Sequence, residues 1–136
     1  MSKDRNSKLT SYVKGALRRA SVRWPARNEA LVRARVERGK YKCEICHDLF
    51  QRQYIELDHI EPVISLKDGF VDWNTYIERL LPEAEGFQAI CKNCHASKTA
   101  MEDMMRKTFA AQKRAAEKQK KIEEKLKRKK NEGKAK

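Results

Sequence analysis

Four cysteines and two histidines stand at spacings that suit metal chemistry. Cys43-x-x-Cys46 and Cys91-x-x-Cys94 are two pairs of identical spacing, 44 residues apart, and together they use every cysteine in the chain. Each pair can present two thiolates from one tight turn, and two such turns complete a tetrahedral four-sulfur zinc site. With all four positions taken by sulfur, such a zinc is structural rather than catalytic. Two disulfides or buried free thiols are the competing readings, and neither accounts for the matched spacing. His47 and His95 follow ligand cysteines directly but are not needed as ligands.

The second group is Asp58-His59, at the end of the apolar stretch YIELDHI, together with His95 just past the second cysteine pair. A metal that draws the cysteine turns together also brings His95 toward Asp58. Asp58 and His95 are expected to hold a divalent cation, Mg2+ or Mn2+ from the oxygen and nitrogen donor set. His59 is then the candidate general base for activating water against a phosphorus centre, and Lys98 a candidate phosphate contact. Adjacent residues on an ideal strand face opposite ways, so a local bend is expected if Asp58 and His59 serve one site.

These residues need elements to position them. Leu9, Val13 and Leu17 predict a first helix. Trp24-Pro25 breaks it, and Pro25 suits the first turn of a second helix whose apolar face is Leu31, Val32 and Val36. YKCEICHDLF, residues 41–50, has the form of a zinc knuckle on a short hairpin. A strand runs through IELDHI and ends near Pro62, and Lys67-Asp68-Gly69 is a turn. WNTYIERLL, residues 73–81, predicts a short amphipathic helix stopped by Pro82. FQAI, residues 87–90, is a second short strand. From about Ala96 to about Lys130 the pattern is helical, with Met101, Met104, Met105, Thr108 and Phe109 forming a stripe expected to dock on the core, and fraying expected near Asn131-Glu132-Gly133. No internal repeat is visible.

Charge divides the chain into three. The net charge of +13 resolves into +10 over residues 1–42, −7 over 43–105 and +10 over 106–136. Basic flanks suit a polyanion, since each neutralised phosphate releases counterions. An acidic centre repels the same phosphates unless a cation sits in it. Arg33, Arg35, Arg106 and Lys107 are the expected nucleic-acid contacts outside the centre. No apolar stretch has the form of a signal peptide, and none approaches the roughly 20 residues of a membrane span. A cytoplasmic protein without membrane contact is therefore expected, in which paired cysteines favour metal over disulfides.

LDHIEPVI followed by FQAICKNCHASKT, between paired CxxC knuckles, resembles the zinc-containing HNH endonucleases of phages and bacteria over roughly residues 41–105. The resemblance implies an α+β chain with a small ββα-metal core stapled by a four-cysteine zinc site. A helical basic arm (1–40) would precede the nuclease core (41–105), and a long basic helical tail (106–136) would follow it. It implies a phosphodiester hydrolase that nicks or cuts DNA, with His59 as general base, Asp58 and His95 as ligands of the catalytic ion, and Cys43, Cys46, Cys91 and Cys94 as ligands of zinc. One departure stands out. Many family members carry a middle Asn just before the second strand, in a pattern like NLQLLC, credited with orienting the base. Here GFQAIC places Gly86 in that slot, and Asn74 is the nearest upstream substitute. The alternative is a zinc-ribbon-like nucleic-acid-binding protein without chemistry, or an accessory factor working with phage packaging or replication proteins. Asp58, His59 and His95 distinguish the enzyme from both, because simple binding does not require them.

Overall fold

Short apolar runs, small residues and turn formers dictate short elements held closely together. A computed structural model describes residues 3–135. The chain is mixed α+β, with helices α1 (Lys3–Ser21), α2 (Pro25–Ala34), α3 (Trp73–Leu80) and α4 (Lys92–Lys134) and strands β1 (Arg35–Glu37), β2 (Lys40–Lys42), β3 (Leu49–Phe50), β4 (Ile55–His59) and β5 (Phe87–Cys91). β1, β2 and β3 form one antiparallel sheet in that order, and β4 pairs with β5 in a second. The β4–β5 register runs without interruption from Ile55 opposite Cys91 to His59 opposite Phe87. The 27 residues between these strands carry α3, whereas α4 follows β5 directly.

The core sits between α2 and the β4–β5 pair. Ala26, Ala30 and Ala34 recur every fourth residue, so they share one face of α2, and all three are buried. Alanine lets the helix backbone lie close to β5, whose Phe87, Ala89, Ile90 and Cys91 are also buried. Trp24 Nε1 donates to the Pro82 carbonyl at 2.7 Å and fixes the start of α2. Arg33 fastens its far end, donating to the carbonyls of Ala84 (3.0 Å) and Phe87 (2.7 Å) while pairing with Glu44 at 3.1 Å. On the other side, α1 meets α3 where Arg18 Nε donates to the hydroxyl of buried Tyr76 at 3.2 Å. The expected basic arm therefore supplies part of the core.

Several expectations shift. α2 ends at Ala34, because Arg35–Glu37 pair with the knuckle hairpin through a tight turn at Gly39, φ +76°. Its buried face is alanine; Val32 and Val36 are exposed and Leu31 only partly buried. Met101, Met104 and Met105 are likewise exposed. They do not dock, because α4 touches β4 and β5 near its start and then leaves the core. α4 continues unbroken to Lys134 instead of fraying at Asn131; its 43 residues span about 65 Å. The expected stop of α3 before Pro82 and the turn at Gly69 (φ +70°) are both present, and Asp72 caps α3 by accepting from Thr75 N at 2.7 Å. No described helix is long and apolar enough to cross a membrane.

Gly86 has a steric role of its own. A Cβ there would lie 2.5 Å from Pro82 Cβ and 2.8 Å from Pro82 Cγ, so the slot does not admit an asparagine. Its carbonyl accepts from Ile60 N at 3.0 Å, just past the last β4–β5 pair. Gly86→Ala is expected to lower stability by about 1–3 kcal/mol through overpacking. Urea denaturation checks this, and an unchanged midpoint would contradict it.

Candidate active site

The cysteine cluster comes first because it joins the elements that carry everything else. Cys43 and Cys46 lie in the β2–β3 turn, Cys91 ends β5 and Cys94 is in the first turn of α4. Their sulfurs lie within 4.8 Å of one another, with Cys46 Sγ and Cys91 Sγ 4.0 Å apart. Four sulfurs around one zinc at about 2.3 Å stand about 3.8 Å apart, so the group could hold such an ion. Backbone N–H groups already point at the sulfurs: Cys46 N and Cys91 N donate to Cys43 Sγ at 3.5 and 3.4 Å, and Cys94 N to Cys91 Sγ at 3.4 Å. Burial opposes ionisation of Cys43, but these amides and that of Ile45 outweigh it and bring its thiol down to about 6. Hydrogen bonding to Cys91, with burial and the other sulfurs, pushes Cys94 up to about 12. Thiolates are the ligand form, so binding of an ion here would be coupled to loss of thiol protons. His47, in the same turn at φ +66°, is exposed and outside the cluster.

The acidic strand β4 faces the start of α4 across a cleft of about 750 Å3. Glu56 and Asp58 alternate along the strand and so share a face. His95 Nδ1 donates to the Glu56 carboxylate, which turns Nε2 toward Asp58 Oδ1, 3.7 Å away. That separation is too long for a hydrogen bond, so the two atoms face one another unbonded. The other oxygen, Asp58 Oδ2, accepts from Lys98 Nζ at 2.5 Å and Gln88 Nε2 at 3.1 Å. Lys98 also bonds the His59 carbonyl at 2.7 Å and Glu102 at 2.9 Å. Burial works against its charge, but these two carboxylates prevail and raise its pKa. Lys98 is thus engaged with both carboxylates and with the backbone at the end of β4.

His59 occupies the same cleft from the other face of the strand. The β4–β5 pairing is regular through both residues, so the expected local bend is absent, and Asp58 and His59 nonetheless both line the cleft. His59 Nε2 is 2.8 Å from the Leu80 carbonyl at the end of α3. A carbonyl only accepts, so Nε2 carries the proton and neutral His59 keeps Nδ1 as a base. Its ring lies 4.8 Å from that of buried Phe87, tilted by 52°. Desolvation is the main reason its pKa is lowered; the Leu80 bond opposes this, and the charge of Arg27 adds to it.

Asp58, His59, His95 and Lys98 are therefore brought together, and Arg106 lines the same cleft while pairing with Asp103 at 2.9 Å. Asn74 is not among them: it is exposed on the first turn of α3, at the far end of the helix from Leu80. The hydrogen-bond partner of the His59 ring is the Leu80 carbonyl. Arg33 is committed to the core contacts described above, and exposed Arg35 and Lys107 do not line the cleft. Sequence reasoning missed Glu56 and Arg27. Glu56 was accessible from strand alternation two residues before Asp58, whereas Arg27 carried no signal beyond charge. No family model, curated protein or solved structure matches the chain.

The lowered His59 pKa has a definite sign in stability. The unfolded chain takes up the proton near pH 6.5 and the folded chain only at lower pH. The contribution is present above pH 6.5 and is lost as the pH falls from there through the folded value. An NMR titration of the His59 ring is expected to give a midpoint below 6.5, and a higher one would contradict the burial argument.

Proposed function

We propose that the chain is a metal-dependent endonuclease of the HNH type that hydrolyses phosphodiester bonds in DNA. The observation that carries this reading is the convergence in one cleft of Asp58 Oδ1 and His95 Nε2, backed by Glu56, with a histidine base oriented by the Leu80 carbonyl. The succession β4, β5, α4 fits the ββα core that the resemblance implies. The four-cysteine cluster fits a structural zinc, with no open coordination position.

Asp58 and His95 would hold the catalytic ion, Mg2+ or Mn2+ by donor type. When bound, that ion stabilises charge developing on the phosphate and the leaving oxygen. Glu56 orients His95 by fixing which ring nitrogen turns toward Asp58. Lys98 and Gln88 engage Asp58 Oδ2, leaving Oδ1 for the ion. His59 Nδ1 takes a proton from water as the water oxygen bonds to phosphorus; the opposite P–O ester bond breaks, and its oxygen is protonated from solvent. The basic flanks, above all the exposed second half of α4, suit backbone contacts along the duplex.

Supercoiled plasmid is expected to be cut only with Mg2+ or Mn2+ present, and His59→Ala to lose at least about a hundredfold in rate. Metal-independent cutting, or equal cutting by the variant, would refute the reading. Glu56→Gln is expected to raise the half-saturating Mn2+ concentration about 10- to 100-fold while His59 still titrates below 6.5. Elemental analysis should find one zinc per chain, and Cys91→Ser should lose both the zinc and the cooperative thermal transition.

A further inference from the structure

Arg27 has no partner of the kind its charge demands. It projects from α2 into the cleft, half-buried, with its guanidinium 5.3 Å from the centre of the Phe87 ring. Among the described residues no carboxylate or carbonyl oxygen meets it. The other cleft cations are engaged: Arg18 on the Tyr76 hydroxyl, Lys98 on Asp58 and Glu102, and Arg106 on Asp103. Burying a charged group without hydrogen bonds is costly. Burial accordingly works against the charge of Arg27, and an aromatic face replaces only part of the lost hydration.

The group is also well placed and rigidly held. Its helix neighbours Ala26 and Ala30 are buried, and the Trp24–Pro82 bond fixes the start of the helix. Phe87 contacts both Arg27 and His59, so the unpaired guanidinium and the candidate base share one wall. A planar fork of N–H donors matches the paired oxygens of a phosphate.

We propose that Arg27 is an anion subsite that receives a phosphodiester of the nucleic acid on the His59 side of the cleft. The choice of ligand rests on the nuclease reading; the vacancy of the guanidinium does not. Inorganic phosphate offers the same chemistry, so the test must separate the two sources.

The test uses full-length His59→Ala protein with its zinc in place and no added Mg2+ or Mn2+. Fluorescence anisotropy measures binding to a set of duplexes that each carry one uncharged methylphosphonate. A loss of roughly tenfold is expected at a single backbone position. Adding Arg27→Gln should weaken binding to the unmodified duplex by a similar factor and abolish sensitivity at that position. Arg27→Lys, which keeps the charge but not the fork, should recover part of the affinity. The position scan on protein that retains Arg27 does not depend on how the variants fold. A uniform response across positions, or an unchanged profile with Gln at 27, would overturn the subsite. So would inorganic phosphate raising the thermal midpoint only when Arg27 is present, with no Arg27-dependent position on the duplex. If wild-type protein cuts no plasmid but the Arg27-dependent position is found, the subsite stands and the nuclease reading falls.

Discussion

Everything in the molecule hangs on the approach of four sulfur atoms. Among the described residues the buried ones are few and many are small, with alanine at 26, 30, 34 and 89; Tyr76, Phe87, Ile55, Ile90 and Leu80 are the large apolar side chains among them. Such a core offers limited apolar burial. Cys43 and Cys91 are themselves core residues, packed with Ile55, Ala89 and Ile90. The cluster joins the β2–β3 turn to the β5–α4 junction, and Glu44 reinforces that join by exchanging hydrogen bonds with Ala89. Binding of an ion there would therefore be coupled to packing of the core.

From that junction the cleft follows by short steps. β5 fixes β4 by pairing, which sets the positions of Glu56, Asp58 and His59. α4 leaves β5 at Cys91, so His95 and Lys98 arrive on its first turns, opposite the acidic face of β4. The two faces of one strand end then carry different chemistry. The Glu56–Asp58 face meets cationic and imidazole groups, while His59 meets a backbone carbonyl and an aromatic ring. That division separates a hydrogen-bonded, charged group of side chains from a desolvated imidazole.

What was legible in the sequence had a local signature. Paired CxxC spacing marked the sulfur cluster, Pro82 marked the end of α3, and β-branched and aromatic residues marked β4. Contacts through the backbone or through small side chains were not legible. The Leu80 carbonyl leaves no trace in residue type, so the orientation of His59 was assigned to the nearest suitable side chain, Asn74. The alanine face of α2 was hidden behind larger neighbours, Val32 and Val36, that face outward. The methionine stripe misled because spacing alone says which residues share a face of α4 and not whether anything covers it. Arg33 and Lys98, singled out by charge alone, also make contacts within the fold that residue type does not announce.

The length of α4 has a mechanical consequence. Its start is held by Cys91 and Cys94, and its distal half is exposed throughout. As a stiff rod of about 65 Å, it converts a tilt of about 5° at its root into a displacement of 5–6 Å at its tip, roughly one helical turn. The few ångströms of space among the sulfurs therefore set the reach and bearing of a cationic boom several times longer than the cleft beside them. Any slackening of that small hinge would be felt most at the far end of the protein.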